Sequence, residues 1–229
     1  PAANGERHIW TPLNNVPEIT RSAFISAEDH RFYSHPGVDV LAILRAVKSN
    51  LTKGHIVSGA STLTQQLSRL TYPRKRTYYD KLVELIRSLR IESLLDKEQI
   101  LELYLNRVPL GNNLVGVKAG AMVYFGKSLS RLTVSEAALL ASLPKAPGKL
   151  NPYGRNAPLL FERKNWVLKK MHINGHIGSD TLNGSLKDAP ILKSKSFPFA
   201  APHFINQVLP ESRSGNYTTT IDLNLQSRV

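Results

Sequence analysis

Apolar residues recur at the three- and four-residue spacing of an amphipathic helix along most of the chain before Gly178. Asp39 can cap one such helix, which is predicted to stop near Gly54. Its apolar positions are Val40, Ile43, Leu44, Val47 and Leu51. A second helix, predicted after Thr77, has on one face Leu82, Leu85, Ile86 and Leu89. This spacing favours a mainly α-helical fold.

Start and stop signals predict further helices between these two and after them. They are Pro17 to about Phe32, Ser61 to about Leu70, the segments opened by the capping-box patterns Asp96/Gln99 and Thr133/Glu136, and Pro158 to Gly175. All of them fall in residues 1–177, which we predict to form one compact domain.

The pattern weakens from Gly178 onward, where Gly, Pro, Ser and Lys cluster between Ser179 and Pro202. Tyr217 to Ile221 alternates with β-branched residues and is typical of a strand. Residues 178–229 are therefore predicted to be a linker with short β structure that leads into another domain. The chain begins with Pro1 and no signal peptide, so we expect its natural start to lie upstream.

The chain is strongly basic, with 30 Lys and Arg against 17 Asp and Glu and a net charge of +13. Such a balance favours an anionic partner, which can be nucleic acid, anionic lipid or a phosphorylated substrate. The chain lacks Cys, so disulfides and thiolate metal sites are excluded. No apolar run is long enough to span a bilayer, and the His spacing predicts no metal site.

Three segments carry residues suited to chemistry. Glu28 can be a general acid or base if it lies in a cleft, although an isolated acid of this kind is usually a surface group paired with Arg31. The segment GASTLTQQLSR from Gly59 to Arg69 places hydroxyls at a helix start, which is either an anion site or an ordinary capped helix. Glu84 follows Lys81 by one turn, as in many solvated charged faces.

Five segments, in this order, together resemble the family 51 glycosyltransferases, the peptidoglycan polymerases of class A penicillin-binding proteins. The matching positions are Glu28, Asp29, Phe32, His35 and Gly37; Gly59, Ser61, Thr62, Thr64, Gln65 and Gln66; Lys81 and Glu84; Ile100 to Asn106; and Lys145 to Pro152. One position departs from the pattern, because Asp80 stands where the family has an Arg. Arg74, Lys75 and Arg76 lie just upstream as candidate replacements for that cation.

The resemblance implies a lysozyme-like helical fold with a smaller membrane-proximal lobe around Leu41–Val57. It implies lipid II as acceptor, a growing glycan strand on undecaprenyl diphosphate as donor, and inversion at the donor sugar. Glu28 would be the general base, and Glu84 would assist at the diphosphate, directly or through Mg²⁺ or Mn²⁺; no tightly bound cofactor is expected. The implied substrate-binding residues are Asp29, Phe32, His35, Ser61, Thr62, Gln65, Gln66, Arg69, Lys81, Asn106 and Lys145.

The same resemblance predicts a protein at the periplasmic face of a bacterial inner membrane, followed by a transpeptidase region. Nucleic acid is not an expected partner, because aromatic residues are only 7% of the chain and form no stacking platform. Two alternatives stay open from the residues. One is a lysozyme-like glycan hydrolase with Glu28 as general acid, and the other is an impaired polymerase domain kept as a scaffold, suggested by Asp80.

Overall fold

A computed structural model describes residues 6–53, 61–73 and 77–193 of the chain. These ranges are mainly α-helical, as predicted, and their α-helices are α1 Glu18–Glu28, α2 Val40–Lys53, α3 Leu63–Thr71, α4 Tyr78–Leu94, α5 Lys97–Arg107, α6 Val117–Gly120, α7 Val134–Ser142, α8 Ala157–Ile173 and α9 Ser179–Lys187. A π-helical turn, Ala121–Phe125, continues α6. Two short parallel strands, β1 Arg7–His8 and β2 Leu114–Val115, pair with each other.

Helix α7 lies at the centre of the hydrophobic core and packs against α1 and α8. Its residues after Val134 are all buried, and Leu139 and Leu140 are completely inaccessible. Alanines at 137, 138 and 141 allow the neighbouring helices to approach closely. Helix α3 packs on α4 and α5, so the predicted motifs on α1, α3 and α4 are held around one end of this core.

The capping boxes predicted at Asp96 and Thr133 are confirmed, with each side chain accepting the backbone N–H three residues on. Asp39 and Thr77 also cap their helices as predicted. The cap of α3 is Thr62, one residue later than the predicted Ser61, and it forms a complete capping box with Gln65. Each such cap is worth about 1 kcal/mol of helix stability.

Helix α1 ends at Glu28, earlier than the predicted end near Phe32. The chain leaves the helix at Asp29, whose φ of −159° and ψ of 73° are not helical. A single 3₁₀ turn, Phe32–Ser34, follows. Gly37 then has a φ of +85°, and a Cβ there would lie 2.9 Å from Ser88 O on α4. The turn therefore requires glycine and brings the end of α1 close to α4.

Helix α9 was not predicted, because Gly, Pro, Ser and Lys cluster from Ser179 onward and suggested a linker. It is held by Lys164 on α8, a buried amine that donates to the carbonyl oxygens of Ser185 and Asp188 at 3.2 and 2.6 Å. The predicted domain boundary at residue 178 remains a prediction. The predicted strand at 217–221 and the predicted helix end at Gly54 lie outside the described residues.

Apolar side chains on α2 and α4 face solvent instead of the core. On α4, Leu82, Ile86 and Leu89 are 55%, 57% and 43% exposed. On α2, Val40, Leu41 and Leu44 are likewise more than half exposed. None of the helices in the described ranges is both long and apolar enough to span a bilayer.

Candidate active site

Glu28 is the last residue of α1, and its carboxylate is buried. Its Oε2 accepts a hydrogen bond from Nε2 of Gln66 at 2.8 Å, while Oε1 has no hydrogen-bond partner among the described residues. Gln66 is fixed in turn by the hydroxyl of Tyr104 on α5, which donates to its Oε1 at 3.2 Å. Gln66 therefore presents its amide donor to Glu28 and leaves the second carboxylate oxygen unsatisfied.

Burial raises the pKa of Glu28 above its ordinary value. The hydrogen bond from Gln66 opposes this rise, and so do the positive charges of Arg163, Lys145 and Arg69. A carboxyl with a raised pKa and one unpartnered oxygen is suited to accept or donate a proton. Glu28 therefore has the environment of a catalytic acid or base instead of a surface acid paired with Arg31.

Glu28 lines a cleft of about 220 Å³ between the end of α1 and the starts of α2 and α3. Helix α8 closes its fourth side with Trp166 and Lys170. Arg45 of α2 also faces this space. The pKa of the neighbouring His30 is lowered, first by partial burial and then by the charge of Arg45. Cations thus surround the mouth of the cleft, as an anionic substrate requires.

Asp29 and His35 bond to each other inside the protein. Nε2 of His35 lies 3.0 and 3.1 Å from the two carboxylate oxygens of Asp29, and both residues are buried. The backbone N–H of Leu63 donates to Asp29 Oδ2 at 2.9 Å. The pair therefore ties the end of α1 to the start of α3, and this geometry favours a structural role in place of the predicted substrate contact.

The predicted anion site at the start of α3 already contains an anion, the carboxylate of Asp29. Thr62 donates its hydroxyl to Gly37 O at 2.6 Å and accepts from Gln65 N, and Thr64 donates to Glu92 on α4. Both hydroxyls are therefore occupied within the protein in this structure, and the predicted substrate-binding role of Thr62 stays a prediction. Ser61 remains at the cleft, half-buried beside Lys81.

A second charged cluster links α3 to α4. Lys81 donates to Ser61 Oγ at 3.0 Å and forms an ion pair with Glu84. Arg69 lies 3.7 Å from the other oxygen of Glu84, and Gln65 Oε1 is 3.5 Å from the Lys81 amine. Glu84 is largely buried, whereas Lys81 and Arg69 are nearly half exposed. The carboxylate therefore holds two accessible cations at this side of the site.

Asp80, the departure from the family pattern, belongs to the start of α4. Thr77 caps that helix, and its hydroxyl donates to Asp80 Oδ2 at 2.6 Å. A carboxylate in the first helical turn also interacts favourably with the helix dipole. Asp80 thus stabilises the helix that carries Lys81 and Glu84. The candidate replacement cations at 74–76 lie outside the described residues.

A divalent ion held by the protein alone does not fit the cluster around Glu84. The described ranges contain no group of three or more His, Cys, Asp or Glu that could hold one. The Glu84 carboxylate is already paired with Lys81 and Arg69, whose charges oppose a cation. The predicted Mg²⁺ or Mn²⁺ at the diphosphate therefore stays a prediction.

Two predicted substrate-binding residues are inaccessible. Phe32 is completely buried and lies under the amine of Lys97. Asn106 is also completely buried, and its amide exchanges hydrogen bonds with the backbone of Thr11. Both side chains have structural contacts in this conformation, and their predicted substrate-binding role stays a prediction. Lys145, in contrast, is exposed, and its charge acts on Glu28.

Several residues around Glu28 were not among the predicted site residues: Tyr104, which donates to Gln66, and Arg163, Trp166 and Lys170 on α8. Tyr104 falls inside a quoted segment, but no signal marked it as a partner of Gln66. The α8 residues follow a helical pattern far from the other motifs in sequence, and only the packing of α8 on α1 brings them to the site.

Comparison with known proteins decides the family. A family model described as Transglycosylase matches residues 2–172. The chain belongs to this family. The prediction of a glycosyltransferase domain of the class A penicillin-binding protein type, with a mainly helical fold, is therefore confirmed.

Relatives of the transglycosylase family agree with this assignment. The chain is 40% identical to penicillin-binding protein 1C of Escherichia coli over 224 residues, 96% of the chain and 29% of that protein. It is 40% identical to penicillin-binding protein 1A of Aquifex aeolicus, covering 89% of the chain and 28% of the relative. The crystal structure of penicillin-binding protein 1A from Haemophilus influenzae matches 88% of the chain and 21% of its own, with a TM-score of 0.51 and 27% identity. The chain thus spans less than a third of each.

Proposed function

We propose that this transglycosylase-family chain polymerises lipid II into glycan strands with release of undecaprenyl diphosphate. The observation that carries the proposal is the buried Glu28 carboxylate, with one oxygen hydrogen-bonded and the other free, at the base of a cation-lined cleft. Burial raises the pKa of this carboxyl, which makes its ionised form a stronger base, and the unpartnered Oε1 can accept a proton.

In the proposed reaction Glu28 removes the proton from the 4-hydroxyl of the acceptor sugar. The hydroxyl oxygen forms a bond to the anomeric carbon of the donor, and the bond from that carbon to the diphosphate oxygen breaks. The diphosphate leaves with the bonding electron pair, and the configuration at the anomeric carbon inverts. Gln66 supports this step because its amide holds Oε2 and orients the free Oε1.

The leaving diphosphate needs positive charge beside it in the transition state. Lys81 and Arg69 supply accessible cations, and Ser61 adds a hydroxyl next to the Lys81 amine. We assign Glu84 the task of holding both cations in place instead of binding the diphosphate itself. No metal ion is needed for this assignment.

A hydrolase is less well supported by the cleft. Glycosidases place a second functional carboxylate across the scissile bond. The other carboxylates that line this cleft are Asp29 and Asp39. Asp29 is engaged by His35 and the start of α3, and Asp39 caps α2 and lies near Arg31 and Arg45. Neither is free to act on a sugar in this conformation.

The exposed apolar residues of α2 and α4 support membrane association, which a lipid-linked substrate requires. Leu44 on α2 and Ile86 on α4 are more than half exposed, and each is followed in the sequence by an arginine, Arg45 and Arg87. Apolar groups flanked by cations favour the surface of an anionic membrane. We propose that this face rests on the periplasmic side of the bacterial inner membrane.

Incubation of the chain with lipid II tests the proposal. Glu28→Gln is expected to lower polymer formation by about 100-fold or more, because it removes the general base. Glu98→Gln, on the exposed start of α5, is the matched control and is expected to retain activity. Polymer formation by Glu28→Gln at the wild-type rate, or release of short fragments from finished peptidoglycan by the wild type, would contradict it.

A further inference from the structure

Arg163 is an unusual neighbour of Glu28 because it comes from α8, outside the matching segments. Its guanidinium is half-buried, and Nη2 donates to the carbonyl oxygen of Ala27, the residue before Glu28, at 3.4 Å. Its Nε is buried without a hydrogen-bond partner among the described residues, as is Glu28 Oε1. An unpaired donor and an unpaired acceptor thus lie at the same end of α1.

The guanidinium of Arg163 is held in place from its other side by Trp166. Its Cζ lies 3.8 Å from the centre of the Trp166 ring, a cation–π contact. Trp166 itself lines the Glu28 cleft. Arg163 is therefore fixed between the indole and the Ala27 carbonyl, and it places a permanent charge beside the end of α1.

We propose that Arg163 is a positioning residue that keeps the Glu28 carboxylate ionised and correctly oriented for its role as base. This inference rests on the proposed function of Glu28. A buried carboxylate without a nearby cation takes up a proton and can no longer act as a base. Within the described residues Arg163 forms no direct ion pair with Glu28, so it offsets the cost of burial and leaves Oε1 available to the acceptor hydroxyl.

Other charged groups also act on Glu28, and Arg163 is the largest influence among the cations. The groups that face it from neighbouring elements are Arg69 on α3, Tyr104 on α5, Lys145 after α7, Arg163 on α8, and Asp29, His30, Asp39, Arg45 and Lys170 around the cleft. Lys145 and Arg69 are exposed, so solvent screens their charges more strongly than that of Arg163. In turn, the charge of Glu28 raises the pKa of Arg163, which burial alone lowers.

The test is the pH dependence of kcat/KM for lipid II polymerisation by the full chain. Arg163→Gln can still donate to Ala27 O but carries no charge, so the acid limb should move to higher pH. We expect the ratio of kcat/KM at about pH 5.5 to that at about pH 8 to fall by about threefold or more. Arg163→Lys should restore most of this ratio, and Lys169→Gln, exposed on the same helix, should leave it unchanged.

A wild-type pH profile in Arg163→Gln would overturn the inference, even if the rate falls at every pH, because that result is typical of a purely structural role. If Arg163→Gln does not fold, Trp166→Leu replaces it: loss of the ring frees the guanidinium and should move the acid limb in the same direction. An unchanged acid limb of the kcat/KM profile in Trp166→Leu would also overturn the inference. Failure of the proposed function is distinguishable, since it would appear as polymerisation by Glu28→Gln.

Discussion

Glu28 combines two demands that oppose each other. Its burial and its unpartnered Oε1 favour chemistry, but a carboxylate in this position is costly to keep ionised. The Gln66 amide, fixed by Tyr104, offsets part of that cost, and so do the surrounding cations. The net effect is still a raised pKa, which means that the folded protein is less stable when Glu28 is charged than when it is neutral.

This conflict predicts that Glu28→Gln stabilises the protein while it removes activity. Because the folded-state pKa lies above the unfolded one, the stability linked to Glu28 is fully present below the unfolded pKa. It is lost as pH rises through the folded pKa. Thermal unfolding should therefore show a higher Tm for Glu28→Gln than for the wild type at about pH 7.5, with a smaller difference at about pH 4. A lower Tm at pH 7.5 would show that the charged form is the favoured one.

Among the helices, α3 has a start that is only partly predictable from its own sequence. The helix, its motif and its tendency to bind an anion follow from local sequence. The identity of the anion does not, because Asp29 reaches Leu63 N only after the Gly37 turn folds α1 back toward α3. The role of Asp80 also follows from local sequence. Its position in the family pattern suggested a lost cation, but its carboxylate accepts a hydrogen bond from Thr77, the cap of α4.

Asp29→Ala should destabilise the fold. It leaves the Leu63 N–H and the His35 ring without their buried partner, at a cost of about 3 kcal/mol in the free energy of unfolding. Urea denaturation measures this. Asp96→Ala is the control, because it removes only an exposed cap on α5 and should cost about 1 kcal/mol. Wild-type stability of Asp29→Ala together with a raised KM for lipid II would instead favour the substrate contact implied by the resemblance.

For the whole molecule, helical periodicity predicts most of the elements but not which side of each faces the core. The stripe on α4 at Leu82, Ile86 and Leu89 is regular enough to be a core stripe, yet it is exposed. The α7 helix, with little amphipathic pattern, is the one that fills the core. Which face of a helix is buried depends on how helices distant in sequence pack together. The same packing brings Arg163 on α8 close to Glu28 on α1.

The exposed stripes on α2 and α4 lead to a prediction about membrane binding. Leu44→Glu or Ile86→Glu should lower partition of the chain onto vesicles of anionic phosphatidylglycerol by about tenfold each, because burial of one such side chain is worth about 1.5–3 kcal/mol. Vesicle co-sedimentation measures this. The wild type should also bind more weakly at high salt, because its +13 charge acts through the screened surface potential.

Ile173→Glu is the matched control for these two variants. Ile173 is 71% exposed, more than either Leu44 or Ile86, but it lies at the end of α8. If apolar exposure alone drives partition, all three variants weaken binding equally, and the assignment of the α2 and α4 face is wrong. If that face rests on the bilayer, only Leu44→Glu and Ile86→Glu weaken binding. The comparison therefore distinguishes a specific membrane-facing side of the domain from nonspecific hydrophobic adsorption to vesicles.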